Sequence, residues 1–125
     1  WGVYKSIDGG MSWMHLGLKN TERIKRIVVD PKDPNIACVC ALGKEWGPNK
    51  ERGVFKTTDG GKTWNKILYI DENTGCADIA METNNPRVMY AGMWTFRRKP
   101  WRFDDGGGNT ALYRTMDGGQ TWKKL

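Results

Sequence analysis

The chain has 125 residues and a mass of 14.2 kDa, the size of one domain or less. Its 38% hydrophobic and 27% charged residues exclude a membrane-spanning chain and a disordered tail, and no apolar run approaches the ~20 residues of a transmembrane helix. The formal net charge of +6 permits an acidic partner without requiring one.

Gly occurs 16 times and Trp 7 times, which points to tight turns, aromatic plugs and short strands. The chain opens Trp1-Gly2-Val3-Tyr4, the middle of a strand, without signal peptide or initiator Met; a piece of something longer is expected. In chain order, strands are expected over residues 2–6, 12–17, 24–30, 36–42, 53–57, 63–69, 76–82, 87–95, 111–115 and 121–125. Between them lie four connections: 18–23, 43–52, 70–75 and 96–110. Cys38 and Cys40 fall on one face of a strand in the run Ile36-Ala37-Cys38-Val39-Cys40-Ala41-Leu42, and Cys76 stands alone. Small buried thiols are the expectation, with no disulfide framework and no report on the compartment. The Met residues and mid-strand aromatics read as core.

Three segments align without gaps: Gly2–Trp13, Gly53–Trp64 and Ala111–Trp122. Each carries Ser/Thr-x-Asp-Gly-Gly-x-Ser/Thr-Trp: Ser6, Asp8, Gly10 and Trp13; Thr57, Asp59, Gly61 and Trp64; Thr115, Asp117, Gly119 and Trp122. The three Asp recur at spacings of 51 and 58 residues, a repeat period that signals an array. A second pair repeats between them: Ile27-Val28-Val29-Asp30-Pro31 to Ala41 matches Ile79-Ala80-Met81-Glu82-Thr83 to Ala91, each reading strand, Pro/Asn turn, strand. The unit is four strands in two hairpins. In the turn the Asp accepts bonds from backbone amides, Gly supplies positive φ, the hydroxyls satisfy further groups, and the Trp packs beneath. Calcium loops need acidic residues where Gly stands here, so the motif reads as structural.

These residues resemble the Asp-box, or bacterial neuraminidase repeat. It is shared by sialidases, oligoxyloglucan hydrolases and related glycosidases, sortilin-type receptors and a photosystem assembly factor. The likeness is greatest to sortilin-like, glycosyl-hydrolase-like bacterial repeat proteins. It implies an all-β fold: a β-propeller fragment of about two and a half four-stranded antiparallel blades. Residues 1–18 would supply half a blade (strands C and D), residues 19–69 a full blade and residues 70–125 another. A ring needs more blades, so the remaining blades of a longer chain, or self-association, are expected partners. The resemblance also implies a secreted or cell-envelope location, and ligand sites on the face opposite the Asp-box turns.

On that face the segment Phe96-Arg97-Arg98-Lys99-Pro100-Trp101-Arg102-Phe103-Asp104-Asp105-Gly106-Gly107-Gly108-Asn109-Thr110 is long for a loop, and long loops tend to carry function. Aromatic platforms stack on sugars, and Arg forks bind carboxylates or phosphates. The candidate ligand residues are Trp46, Trp94, Arg97, Arg98, Trp101 and Arg102. The competing reading has the aromatics plugging the blade top and the arginines in surface ion pairs. Gly106-Gly107-Gly108 lacks the helix start and Lys-Ser/Thr of a P-loop. Basic residues elsewhere alternate with acids, so no nucleic-acid partner is expected.

Glycoside hydrolysis needs two carboxylates. Among Glu45, Glu51, Asp71, Glu72, Asp78, Asp104 and Asp105, the candidates for a reactive acid are Asp78, at the start of an innermost strand, then Asp104 and Asp105. Capping its strand or pairing with an Arg is weighted above catalysis for Asp78. The sialidase set of three arginines and a Tyr nucleophile cannot be placed: Tyr4 and Tyr113 lie in Asp-box strands and Tyr90 in a B strand. His15 is the only His, which argues against a zinc site or a Ser-His-Asp triad. No metal, cofactor or membrane contact is expected. The functional expectation is carbohydrate handling, by binding or as a portion of a glycoside hydrolase. The alternatives are a sortilin-like peptide- or protein-binding propeller and blades with a purely structural role.

Overall fold

The computed structural model describes residues 2–44, 47, 49–99, 102–105 and 110–125, with 96–99 and 102–105 described through their backbone pairing. Among the described residues eleven strands are formed: β1 (Tyr4–Lys5), β2 (Met14–His15), β3 (Ile24–Val29), β4 (Ala37–Ala41), β5 (Gly53–Thr57), β6 (Asn65–Leu68), β7 (Thr74–Met81), β8 (Met89–Lys99), β9 (Arg102–Asp105), β10 (Ala111–Thr115) and β11 (Lys123–Lys124). A 3-10 turn, Lys19–Thr21, precedes β3. All the pairings between strands are antiparallel. The sheets are β1-β2, β3-β4-β5-β6 and β7-β8-β10-β11, with β9 added to β8 beyond the end of β10.

The strand positions read from sequence are recovered, mostly with shorter ends; β7 starts two residues earlier than expected, and the 96–110 connection is not a plain loop. Its first part continues β8 and returns as β9, pairing Phe96 with Asp105 and Lys99 with Arg102. The turn residues Pro100 and Gly106–Gly108 had marked the whole segment as loop, whereas they bound a short antiparallel ladder.

Both four-stranded sheets are built alike, down to their irregularities. The first strand of one carries a register shift between Ile24 and Arg26, and the first strand of the other between Cys76 and Asp78. These are matching positions of the internal repeat, so the bulge belongs to the unit.

The core lies between sheets. Cys38, Cys40, Val54, Leu68, Cys76, Ile79, Met89, Ala91, Met93 and Tyr113 form one buried cluster; Val3, Val39, Ala41 and Phe55 form a second beside β1 and β2. Apolar burial of this kind, at roughly 25 cal/mol per Å², is the main force holding sheet to sheet. The expectation that the Met residues are core holds for Met89 and Met93. Met11 is 89% exposed and Met116 65% exposed, because both sit at turn tips.

The three Asp-Gly-Gly turns have one geometry. The hydroxyls of Ser6, Thr57 and Thr115 donate to Asp8, Asp59 and Asp117 at 2.8, 2.7 and 2.7 Å. They accept from the amides of Gly10, Gly61 and Gly119. The same carboxylates accept the amides and hydroxyls of Ser12, Thr63 and Thr121. The second glycine does more than permit the turn. A Cβ on Gly61 would stand 2.4 Å from Leu16 Cδ1, and one on Gly119 2.5 Å from Ile67 Cδ1. Leu16 and Ile67 are matching residues of successive repeats, so each turn docks on the outer strand of the sheet before it. Trp64 acts between sheets too, its Nε1 donating to the Leu16 carbonyl at 2.8 Å. The Trp thus joins two sheets, where the sequence suggested packing beneath its own turn. Trp122 does reach its own turn, at the Gly119 carbonyl, while Trp13 is 62% exposed.

These bonds favour the ionised carboxylate. Asp8 is lowered to about 2, chiefly by the Ser12 hydroxyl, then the Ser12 amide and the Ser6 hydroxyl. Asp59 and Asp117 are also held well below the usual range, by Thr63 and Thr121 first. A depressed folded pKa stabilises the fold above the unfolded value and loses that contribution as pH falls through the folded one. For Asp8 the stabilisation is present above about pH 4 and disappears toward about pH 2; for Asp59 and Asp117 it also begins to fall below about pH 4 but is lost fully only at lower pH. The pair Asp59→Asn and Asp117→Asn is expected to lower the urea midpoint at neutral pH and flatten its decline over that window. Parallel curves for variant and parent would contradict this assignment.

Candidate ligand-binding face

Register places the Asp-Gly-Gly turns and the β8–β9 hairpin at opposite ends of the sheet. Thr115, which opens a turn, pairs with Met89, whereas Ala111 pairs with Met93 on the way to the hairpin. The β4–β5 and β6–β7 connections share the hairpin's end.

That end is organised by two arginines. Arg52 is fully buried. Its guanidinium donates to the carbonyls of Glu72 (2.9 Å), Leu42 (2.6 Å), Lys44 (2.9 Å) and Gly47 (2.9 Å). Arg23 donates to Gly43 and Lys44 at 2.9 and 3.1 Å. Gly43 has φ +90, and a Cβ there would lie 2.5 Å from Arg52 Cγ, so glycine makes room for the guanidinium. Asn49 adds bonds to the Asn20 carbonyl and from its own amide to Glu72. A buried cation is costly unless satisfied, and the fork supplies directed donors to a cluster of carbonyls. Sequence reading passed over Arg52, which borders a strand without a motif; its only signal was a cation directly before the Gly-Val-Phe strand.

The Cys40–Cys76 bond corrects the expectation of free thiols. The two residues are 36 apart in sequence, and nothing local pairs them. Packing of β7 against β4 brings their Cα atoms to 5.1 Å, so the bridge crosses between sheets. Cys38 is free and buried, and burial pushes its thiol up to about 11.

Asp78, the first candidate acid, is engaged with Arg26: Nε to Oδ1 is 2.6 Å, with both side chains largely exposed. Oδ1 also accepts the Ile79 amide. The Arg26 hydrogen bond, then the Ile79 amide, lowers its pKa, which favours a carboxylate over a proton donor at neutral pH. Arg26 and Asp78 occupy matching positions of the repeat, so the pair links the first strands of adjacent sheets. Exposed pairs of this kind contribute about 0–1 kcal/mol.

The hairpin candidates fall into two groups. β8 alternates regularly: Met89, Ala91 and Met93 are buried toward the preceding sheet, and Tyr90, Gly92 and Trp94 take the other face. Continued through the β8–β9 ladder, Arg97 and Lys99 share the first face with their partners Asp104 and Arg102. Phe96 and Arg98 share the second with Asp105 and Phe103. Trp94 and Arg98 thus hold positions on the other face of the ladder, and the side chains of 96–99 and 102–105 lie outside the described residues. Trp46 and Trp101 lie outside the described residues. Among the described residues no group of His, Cys, Asp and Glu could hold a metal ion. At the opposite end a crevice of about 490 Å³ opens between the sheets beside Lys56, Arg87 and Asp117.

Sheets stacked in this way define a β-propeller segment. The chain superimposes on an ancestral GH74 enzyme with a TM-score of 0.72 and 22% identity, covering 99% of this chain and 15% of that one. It superimposes on the GH74 enzyme of Niastella koreensis with a TM-score of 0.69 and 21% identity, covering 98% of this chain and 18% of that one. The chain therefore spans under a fifth of the length of those enzymes. No curated protein sequence matches it. The family model described as "Sortilin, neurotensin receptor 3" matches residues 2–125, and the chain belongs to this Sortilin-Vps10 family.

Proposed function

We propose that the chain is part of an Asp-box propeller that handles carbohydrate outside the cytoplasm, with the β8–β9 end as its ligand face. The observation that carries this is the hairpin, which extends beyond a four-stranded sheet and concentrates aromatic and cationic residues in a fold shared with GH74 enzymes. The Cys40–Cys76 bond supports a secreted or envelope location, since disulfides persist in oxidising compartments. The exposed flank residues Tyr4, Trp13 and Met14 at one side, and Leu112 and Leu125 at the other, support further blades or a second copy as neighbours. Asp104 and Asp105 remain the candidate acids at this end, with Asp78 serving the Arg26 pair.

The experiment is a binding and hydrolysis screen of the full-length protein against neutral and acidic polysaccharides. Retention or reducing-end release by at least one class is the expected result; neither across the panel contradicts the reading. The family match favours a second reading, a peptide- or protein-binding propeller. It predicts peptide binding that Arg97→Ala with Arg98→Ala abolishes, in a protein that retains no glycan.

A further inference from the structure

The crevice at the Asp-Gly-Gly end lies where three turns meet: 30–36 of the first four-stranded sheet, 82–88 of the second, and the turn at Asp117. Its volume is about 490 Å³, within the roughly 300–1,000 Å³ of small-molecule sites. Met81 and Met89 from one sheet and Ile36 from the other give it an apolar floor, with Met89 1% exposed. The charges around it are unevenly engaged. The two Asp117 oxygens accept the hydroxyls of Thr115 and Thr121, and Asp30 Oδ1 accepts the Lys32 amide. Lys56 Nζ donates to the Gly118 carbonyl at 2.8 Å. Lys32 and Arg87 are exposed, and neither side chain has a hydrogen-bond or ion-pair partner among the described residues.

The repeat shows that the turn does not need the Arg87 side chain. Asn35 holds the matching position in the first sheet. The Gly60 amide donates to the Asn35 carbonyl at 3.0 Å, as the Gly118 amide does to the Arg87 carbonyl at 3.0 Å. Backbone groups alone make this contact in both sheets, which leaves the Arg87 guanidinium spare. The matching crevice beside Pro34 and Gly60 is only about 160 Å³ and has no arginine.

We propose that the larger crevice binds a small amphipathic carboxylate, with its charged end on Arg87 and Lys32 and its apolar stem on Met81 and Met89. Charge complementarity selects the occupant: Lys32, Lys56 and Arg87 against Asp30 and Asp117 leave a single formal positive charge, which suits one carboxylate better than a doubly charged phosphate. The guanidinium fork matches a planar carboxylate, and the amides of Asn84 and Gln120 at the rim supply further donors. The apolar floor gives a carbon stem a place out of water that an inorganic anion cannot use. This site is at the far end of the sheets from β8–β9 and does not depend on the carbohydrate reading.

The test is NMR of the full-length protein with isotope-labelled methionine methyls and four probes: hexanoate, hexanol, hexylammonium and inorganic phosphate. Hexanoate is expected to bind in the millimolar range of a small fragment, and its affinity to fall as salt is added. It should move the Met81 and Met89 signals and leave those of Met11 and Met14 in place. Arg87→Gln is expected to weaken it about tenfold and Lys32→Gln about threefold, as loss of charge-assisted bonds does. Lys62→Gln removes the same charge from a turn outside the crevice and should leave affinity within about twofold. Circular dichroism and the thermal midpoint show that each variant is folded, and either of the two crevice variants suffices. Equal binding of hexanol, or preference for hexylammonium or phosphate, overturns the inference. So does equal loss from Lys62→Gln, movement of Met11 and Met14 in place of the floor signals, or no binding of hexanoate. Glycan retention by the crevice variants is expected to match the parent, so the carbohydrate reading stands or falls separately.

Discussion

Replacing Arg52 with methionine is expected to destabilise the protein by about 3 kcal/mol, since one buried and three part-buried carbonyls lose their donor at once, and an unsatisfied group costs about 1–3 kcal/mol when buried and less where water reaches it. The carbonyls of Leu42, Lys44, Gly47 and Glu72 would be left to water or to each other. They come from two connections at the ligand face, so the loss is also structural for that face. Arg52→Lys is expected to recover less than half: an ammonium keeps the charge but lacks the fork that reaches all four. Urea denaturation of the full-length protein measures both. A loss under about 1 kcal/mol for the methionine variant, typical of surface substitutions, would mean that Arg52 does not hold these connections.

Reduction of Cys40–Cys76 is the second large effect. The bridge closes a loop between residues 36 apart, for which the chain-entropy account gives about 4 kcal/mol. Because it ties β4 to β7, its loss should loosen the contact between sheets before either sheet melts. Cys40→Ala with Cys76→Ala is expected to lower the thermal midpoint and to remove most of the sensitivity to reductant. A parent midpoint unchanged by dithiothreitol would contradict a stabilising bridge. Cys38 is not expected to substitute, because its thiol is buried and held protonated well above neutral pH.

What the sequence made legible was whatever repeats. Three copies of the Asp-Gly-Gly motif and two Pro/Asn hairpins placed the strands, because turn chemistry is local and each copy reinforces the others. The contacts between sheets were not legible. Leu16 against Gly61, Ile67 against Gly119 and Cys40 against Cys76 all join residues far apart in the chain. Pattern reasoning sees one strand's alternation and cannot see which strand of the neighbouring sheet faces it. Arg52 was missed for the same reason, since its partners are backbone carbonyls, which carry no sequence identity. At the candidate site, composition named the aromatic and cationic residues of 94–105 but left them mixed. Only the pairing of Arg97 with Asp104 and Lys99 with Arg102 sorts them onto two faces. Asp78 shows the reverse: pairing with an Arg was weighed from sequence, and the structure names Arg26, the matching residue one repeat earlier.

The most direct test of the ligand face is amide hydrogen exchange on the full-length protein with and without a polysaccharide that it retains in the binding screen. The account predicts slowed exchange over 94–105, with no change in the turns at 57–63 and 115–121. Protection at the turns, or equal exchange everywhere under conditions where the polysaccharide is bound, would place the ligand elsewhere and contradict the assignment of this face.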